Sequence, residues 1–237
     1  MTFTVLSLFP EILEGFFQTS LMKKARDKGL ITVNLVNIRD FAHNRHKTCD
    51  DVPYGGGAGM VLKPEPLAEA LDSVGALAKR TLYPTPSGRT LTQRMVEELA
   101  KEDELVLICG RYEGIDQRII DEYVDEEISI GDYVLSSGEI ASLVLIDAIY
   151  RLRDGVIKPR SLEEESFSGA GLLEYPQYTR PEVFRGRSVP EVLLSGHHGR
   201  VADWRTQKSV EKTKRLRPDL LDRLGHRENE EDCHGPN

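Results

Sequence analysis

The stretch Glu104–Gly114, with the sequence ELVLICGRYEG, determines the predicted fold class. A short apolar run that ends in a glycine-rich turn is typical of a buried strand in a parallel sheet, followed by a loop that approaches a ligand closely. Two other segments have the same form: the predicted strand Arg80–Tyr83 leads into Pro84–Gly88, and the predicted strand Glu126–Ile130 leads into Gly131–Gly138. Because parallel strands end at one edge of a sheet, we expect these three loops to converge on one site.

Strand and helix patterns alternate outward from this stretch along the first 150 or so residues. The other predicted strands are Phe3–Leu8 and Ile31–Val36. The predicted helices are one that begins at Pro10, one over Pro64–Leu77, one over Arg94–Ala100 with a Thr90–Gln93 capping box, and one over Gly138–Leu152. This βα alternation predicts an α/β fold, with a mostly parallel sheet and flanking helices.

The composition of the 237 residues, 39% hydrophobic and 30% charged, predicts a globular chain with a real core. No apolar run approaches the ~18 residues of a membrane span, so we expect no contact with a membrane. The N-terminal segment is typical of a strand that enters a helix and not of a signal peptide. The three cysteines of the chain are far apart and form no CxxC motif. They favour a reducing, cytoplasmic location over a disulfide framework or a zinc knuckle.

The charges are distributed unevenly along the chain, whose net charge is −8. The segment Glu97–Glu127 contains 12 acids and 3 bases, whereas Arg180–Arg217 contains 10 Lys or Arg and 4 acids. This pattern predicts an acidic body with a basic C-terminal module that binds a polyanion. A solvated helical face is the alternative explanation for such a charge run.

The change in composition after residue 152 predicts the domain boundaries. Residues 153–172 are rich in glycine and proline without a clear period, which favours a linker or a mobile loop. The short predicted helices beyond it are Val189–Ser195, Asp203–Leu216 and Pro218–Leu224. We therefore predict a domain over 1–160, a mobile linker over 161–172, a small helical domain over 173–225 and a disordered tail over 226–237.

The common nucleotide-binding fingerprints are absent from the sequence. The glycine-dense stretch Tyr54–Gly59 does not match GxGxxG, and no GxxxxGK[ST] occurs. A plain dinucleotide-binding fold and a P-loop are therefore disfavoured. The stretch itself is either a simple flexible loop or a loop that folds over a ligand.

Several longer motifs follow one another along the chain. They are Leu6–Pro10, Arg39–Phe41, Asp50–Met60, Cys109–Asp116, Ser129–Leu135, Glu165–Phe167, Tyr178–Val183 and Leu193–Gly196. Together they resemble the bacterial tRNA (guanine-N1)-methyltransferase family of the SPOUT superfamily, over nearly everything except the last dozen residues. The resemblance implies a deep trefoil knot in the α/β domain and a homodimer.

The resemblance also implies a binding site for S-adenosylmethionine within domain 1–160. The residues that match the cofactor contacts of the family are Gly110, Ile130, Gly131, Asp132, Tyr133, Val134 and Leu135, followed by Pro86, Glu113, Ser129 and Gly138. The family usually has glycine where this chain has Ser137, so a positive φ at that position would strain the serine. The family uses Mg²⁺ as well, but no ligand spacing in this sequence identifies a metal site.

The activity implied by the resemblance is methyl transfer to N1 of guanosine 37, 3′ of the anticodon in tRNA. Glu165 matches the carboxylate that removes the N1 proton, although the family usually has aspartate there, and Glu164 is the alternative base. Arg151 matches the catalytic arginine, which stabilises negative charge on O6. On sequence pattern alone, Arg151 is a residue that complements a helix C-terminus and Glu165 a solvated acid of the linker.

Basic residues of the C-terminal module are expected to contact tRNA phosphates. They are Arg180, Arg185, Arg187, Arg200, Arg205, Lys208, Lys212, Lys214 and Arg215. No protein partner other than a second copy is implied. Two alternatives remain: a SPOUT methyltransferase that acts on another RNA nucleoside, and a non-catalytic RNA-binding relative that kept the fold. Calorimetry with S-adenosylmethionine separates the last of these from an enzyme.

Overall fold

A computed structural model describes residues 1–168 and 171–222 of the chain. It divides into two compact units, of which the first is Met1–Ile157 and the second begins at Lys158. This division falls close to the end of the predicted domain 1–160. Within the described ranges, no helix has both the length and the apolar character needed to cross a bilayer.

The first unit is built on a five-stranded sheet flanked by helices. The strands of this unit are β1 (Thr2–Ser7), β2 (Thr32–Asn37), β3 (Asp50–Asp51), β4 (Val61–Leu62), β5 (Arg80–Thr90), β6 (Glu104–Ile108) and β7 (Glu126–Ser129). Strands β3 and β4 form a separate two-stranded antiparallel sheet. Its helices are α1 (Glu11–Phe17), α2 (Ser20–Asp27), α3 (Pro64–Ser73), α4 (Gln93–Leu99), α5 (Gln117–Tyr123) and α6 (Gly138–Tyr150). The sheet has the order β2-β1-β6-β5-β7 and all its pairings are parallel, so the predicted α/β class is confirmed.

Strand β6 lies at the centre of the sheet and is buried on both faces. Leu105 and Leu107 pack into one core cluster with residues of α1, α2, α4 and α6. Val106 and Ile108 pack into a second cluster with residues of α3 and α5. Because a strand presents successive side chains to opposite faces, a strand covered on both sides needs a continuous apolar run.

The structure corrects three predictions about individual elements. The strand predicted to end at Tyr83 continues to Thr90, because Pro84 and Arg89 both pair with Ile128 and the residues between them bulge out. The capping residue of α4 is Thr92, whose side chain accepts a hydrogen bond from the Met95 N–H, and not Thr90. Helix α3 ends at Ser73 and not at residue 77. Two short helices, α2 and α5, were not predicted.

The second unit contains short elements and one long helix. They are α7 (Pro159–Glu163), β8 (Val183–Phe184), β9 (Arg187–Ser188), α8 (Glu191–Leu194) and α9 (His198–Leu216). Part of the predicted linker 161–172 is therefore helical, and α9 begins five residues before the predicted Asp203. The β8–β9 hairpin was not predicted. The predicted tail 226–237 and the end of the predicted helix Pro218–Leu224 lie outside the described residues.

Alkaline pH is expected to destabilise the fold. Burial raises the pKa of Cys109 to about 12, and burial with a hydrogen bond to Asp72 raises the pKa of Tyr123 to about 12. Because folding favours the protonated forms, stability is full below the unfolded-state pKa values and is lost as the pH rises towards the folded-state values. We expect the free energy of unfolding, measured by urea denaturation, to fall by about 1 kcal/mol per pH unit above about pH 9.

The variant Cys109→Ala is the control for this expectation. It removes the thiol, so the decline should begin about one pH unit higher, where the tyrosines titrate in the unfolded chain. A free energy of unfolding that stays constant from pH 8 to about pH 10.5 in the original chain would contradict the assignment.

Candidate functional site

A cavity of about 220 Å³ lies at the carboxyl ends of strands β6 and β7, beside the bulge of β5. Its wall comes from the bulged part of β5 at Tyr83–Pro86, from the loop Gly110–Gly114 after β6, and from the loop after β7 up to the first turn of α6. The three glycine-rich segments predicted to converge therefore do line one cavity. The sheet brings them together because β5 pairs with both of the other strands.

Main-chain hydrogen bonds hold the cavity loops together. The Gly138 N–H donates to the Gly110 carbonyl at 2.8 Å, and Arg111 and Ser137 form an antiparallel bridge beside this bond. On the other side of the same loop, the Glu113 N–H donates to the Met60 carbonyl at 3.0 Å. The glycine-dense stretch that ends just before Met60 therefore adjoins the cavity loop.

The backbone at the start of α6 explains why position 137 tolerates a serine whereas position 138 requires a glycine. Ser137 has φ −168°, which is extended backbone that any residue adopts, so the strain considered for this serine does not arise. At Gly138, a Cβ atom would lie 2.7 Å from the Gly110 nitrogen and 3.0 Å from the Cys109 Cα. Only glycine permits this close approach of two backbones.

The loop after β7 is braced by its own polar atoms. Ser129 Oγ accepts a hydrogen bond from the Gly131 N–H at 3.2 Å, and the Tyr133 hydroxyl donates to the Ile130 carbonyl at 3.3 Å. Gly131 has φ +145°, and a Cβ there would meet the Tyr133 ring at 2.6 Å. The loop therefore holds a defined shape, with backbone groups available to a ligand.

Ten of the eleven predicted cofactor residues lie in the cavity wall. They are Pro86, Gly110, Glu113, Ser129, Ile130, Gly131, Tyr133, Val134, Leu135 and Gly138. The eleventh, Asp132, is exposed and is not part of this wall. The predicted binding roles of all eleven remain predictions.

Arg151 lies far from this cavity within its own chain. It is the C-terminal cap of α6, whereas Gly138 at the other end of the same helix lines the cavity. Thirteen residues of α-helix span about 20 Å, which exceeds the reach of an arginine side chain. Arg151 instead lines a shallow groove on α6 with Ile140 and Val144.

Glu165 and Glu164 both belong to the second unit. Glu165 is half-buried, and its carbonyl accepts a hydrogen bond from the Ser168 N–H at 3.3 Å. Glu164 accepts a hydrogen bond from the Tyr175 hydroxyl and lies 3.5 Å from an Arg205 nitrogen, while Arg205 stacks on the Tyr175 ring. Burial and the bond to Glu164 raise the pKa of Tyr175. The side chain of Glu164 is therefore engaged in the packing of this unit.

Sequence reasoning missed part of the cavity wall and the polar groups behind it. Tyr83, Arg111 and Tyr112 line the cavity, and burial raises the pKa of Tyr83. Glu139 is fully buried next to this wall and accepts a hydrogen bond from the Ser7 hydroxyl at 2.7 Å. The available signal was position along the chain, since Arg111 directly follows Gly110 in the loop after β6 and Glu139 directly follows Gly138.

The described residues offer no metal-binding cluster. Within 1–168 and 171–222, no group of three or more His, Cys, Asp or Glu residues is close enough to hold an ion. The predicted use of Mg²⁺ stays a prediction.

Gly138→Ala is expected to destabilise the protein. Its methyl group would overlap the backbone of Gly110, and such overpacking typically costs about 1–3 kcal/mol. Gly15→Ala is the matched control, because a Cβ at this exposed glycine of α1 would meet no atom within 4 Å. The control should gain about 0.5–1 kcal/mol from helix propensity. Equal free energies of unfolding for the two variants in urea would contradict the close approach.

Comparison with known proteins agrees with these features. The family described as tRNA (Guanine-1)-methyltransferase TrmD matches residues 1–223. Curated relatives named tRNA (guanine-N(1)-)-methyltransferase include one from Treponema denticola, 65% identical over 94% of this chain and 91% of its own length. Those from Borrelia duttonii and Treponema pallidum are 62% and 61% identical over 93% of this chain, and over 92% and 88% of their own lengths. With nearly the whole length matched, this chain belongs to the tRNA (guanine-1)-methyltransferase family.

Proposed function

We propose that this protein transfers a methyl group from S-adenosylmethionine to N1 of guanosine 37 in tRNA. The observation that carries the proposal is the cavity at the ends of β6 and β7 and the bulge of β5, in a chain that matches this family over residues 1–223. Its wall contains ten of the residues that the family resemblance assigns to the cofactor. A cytoplasmic location accords with a substrate that is tRNA.

The shape of the cavity supports S-adenosylmethionine as its occupant. Two backbone segments approach each other closely at Gly138, and the wall includes the loop glycines 110, 114 and 131 with the apolar residues Val134 and Leu135. Backbone N–H and C=O groups can read the edge of an adenine ring without a side-chain signature. When bound, the cofactor supplies an electrophilic methyl group on a sulfonium ion.

In the proposed mechanism, two side chains manage the charge that changes on guanine. N1 of neutral guanine carries a proton and is a poor nucleophile, so a carboxylate beside it is needed as a general base. Glu165 takes this proton. Arg151 stabilises the negative charge that develops on O6, in the manner of an oxyanion donor. No step is assigned to Mg²⁺.

A homodimer reconciles the position of Arg151 with this role. Arg151 is about 20 Å along α6 from the cavity glycine Gly138, so it cannot serve the cavity of its own chain. Ile140, Val144 and Arg151 recur at helical spacing on one face of α6, and the two apolar residues are 48% and 42% exposed. This half-exposed apolar face is where a second copy docks, and docking delivers Arg151 to the site of the partner.

The trefoil knot is also part of the proposal. Support comes from the loop Gly110–Asp116, which is hydrogen-bonded to the flank of β4 on one side and to the start of α6 on the other. These contacts bring three segments that are distant along the chain together where the family resemblance implies the knot.

The second unit is proposed to bind tRNA. Its exposed bases include Arg180, Arg185, Arg187, Arg200 and Lys214. None of these five has an ion-pair partner among residues 1–168 and 171–222. Cations that are not neutralised by the protein are available to phosphates. The assignment of this unit as the tRNA-binding domain rests on that charge.

The activity is tested by mass spectrometry of nucleosides from tRNA. Incubation with the protein and S-adenosylmethionine should produce 1-methylguanosine from a transcript with guanosine 37, and none from a matched transcript with adenosine 37. A different methylated nucleoside would favour a SPOUT enzyme with another target. Binding of RNA without heat from S-adenosylmethionine in calorimetry would favour the non-catalytic relative.

Arg151→Ala is expected to keep the fold and the affinity for S-adenosylmethionine while it lowers turnover by about 10²–10³-fold, the usual loss for one oxyanion donor. The test for sharing between copies uses the inactive cavity variant Gly110→Val, whose side chain collides with Tyr83. Mixed dimers of the two variants, purified with two tags, contain one complete site and should regain about half of the original turnover. Inactive mixed dimers would show that the arginine does not act across copies.

Glu165→Gln should abolish the chemical step in single-turnover methylation, with tRNA and cofactor affinity nearly unchanged, because the amide cannot accept the N1 proton. Glu165→Asp should remain active. Glu164→Gln is the neighbouring control: it weakens the contact with Tyr175 and should lower the free energy of unfolding by about 1 kcal/mol while methylation persists. Loss of the chemical step in Glu164→Gln alone would move the base by one residue.

A further inference from the structure

Four residues from three distant segments form a closed ring of contacts behind the cavity wall. Ser7 Oγ donates a hydrogen bond to Glu139 Oε1 at 2.7 Å and accepts one from the Phe9 N–H at 2.8 Å. Glu139 Oε2 faces Arg111 Nε at 3.8 Å. The Arg111 guanidinium stacks on the Phe9 ring, with its carbon 4.4 Å from the ring centroid, which closes the ring.

This ring contains polar atoms that the protein does not satisfy. Glu139 is 0% exposed, and both its Oε2 and Arg111 Nε are buried without a hydrogen-bond partner. A buried carboxylate with an incomplete set of partners is costly, because the low dielectric of the interior strengthens every unmade interaction. Such a cost is expected where the group serves a ligand, since hydrogen bonds at binding sites often tighten only in the complex.

The outer half of the Arg111 guanidinium is available to a ligand. Arg111 lines the cavity and its side chain is 24% exposed. Its two terminal nitrogens make no hydrogen bond with residues 1–168 or 171–222 and, unlike Nε, are not buried. Their N–H groups form the fork that matches the paired oxygens of a carboxylate or a phosphate.

A second guanidinium contacts the same Phe9 ring. Arg39 also stacks on the Phe9 ring, at 5.0 Å from its centroid, and no acidic side chain of the described ranges pairs with it. Arg39 lies outside the cavity wall, so a ligand in the cavity meets Arg111 and not Arg39. The wall also contains the acidic Glu113, so recognition of an anion depends on the geometry of the Arg111 fork, which Glu139 orients, and not on an excess of positive charge.

We propose that Arg111 binds an anionic group of the ligand in the cavity, a carboxylate or a phosphate, and that buried Glu139 is the positioning residue that fixes its guanidinium for this purpose. The inference rests on the proposed function, since the cavity is taken as the cofactor site. The carboxylate has its source in the amino-acid end of S-adenosylmethionine, and the phosphate in tRNA.

The experiment measures binding by calorimetry with the full-length protein and two probes. S-adenosylmethionine carries the carboxylate, whereas 5′-methylthioadenosine has the same nucleoside and sulfur but no amino-acid end. If Arg111 binds the carboxylate, Arg111→Gln should lower the affinity for S-adenosylmethionine by about 10- to 100-fold, the scale of a lost charge-assisted pair. The affinity for methylthioadenosine should change by less than about twofold. For a phosphate, both probes keep their affinity, and the log–log salt slope of tRNA binding falls by about one.

Two further variants test the positioning role. Glu139→Gln should reproduce the selective loss of Arg111→Gln at about a third to a tenth of its size, because the guanidinium remains but is less well held. Arg39→Gln is the matched control, because it removes the other guanidinium that stacks on the Phe9 ring but lies outside the cavity wall. The affinities for both probes should change by less than about twofold.

The outcomes separate this inference from the proposed function. Unchanged affinity of Arg111→Gln for S-adenosylmethionine and an unchanged salt slope for tRNA would overturn the assignment of Arg111. A lower melting temperature of Glu139→Gln with an unchanged ratio of the two probe affinities would reduce Glu139 to a structural residue. If the original chain binds neither probe, the proposed cofactor site itself fails, and the tRNA arm alone then decides the role of Arg111.

Discussion

The hydrogen bond from the Gly138 N–H to the Gly110 carbonyl, at 2.8 Å, fixes the relative position of the loops that follow β6 and β7. It forms only because Gly138 has no Cβ, which would stand 2.7 Å from the Gly110 nitrogen. This contact brings Ser137 into a bridge with Arg111 and places the first turn of α6 against the cavity. The cavity wall and the buried carboxylate of Glu139 both depend on it, because Glu139 directly follows the glycine.

The two edges of the sheet differ in how their polar groups are satisfied. At the amino edge, Arg80 at the start of β5 pairs with Glu102 and Glu126, and the pairing with these acids raises its pKa against the opposing effect of burial. At the carboxyl edge, Glu139 Oε2 and Arg111 Nε are buried without a hydrogen-bond partner. Natural chains satisfy local rules except where function requires otherwise, so the incomplete edge is the one to associate with a ligand.

The length of α6 bears on whether one chain alone contains every residue proposed for the site. The helix connects the cavity glycine Gly138 at one end with Arg151 at the other, about 20 Å away. A rigid helix cannot bring its own two ends together. The homodimer proposed above has α6 facing the partner, which would bring Arg151 to the cavity of the second copy and cover Ile140 and Val144.

Local patterns in the sequence determined the parallel α/β class and the three glycine-rich loops. Strand periodicity, the continuous apolar run of a strand buried on both faces, and the positions of glycines can all be recognised within a few consecutive residues. The family motifs determined most of the cavity wall. Only the tertiary structure decided that Asp132 lies outside this wall, that Ser137 is extended, and that Glu139 meets Ser7 and Arg111. Those outcomes depend on strand register and on burial between segments that are distant along the chain, which no local propensity encodes.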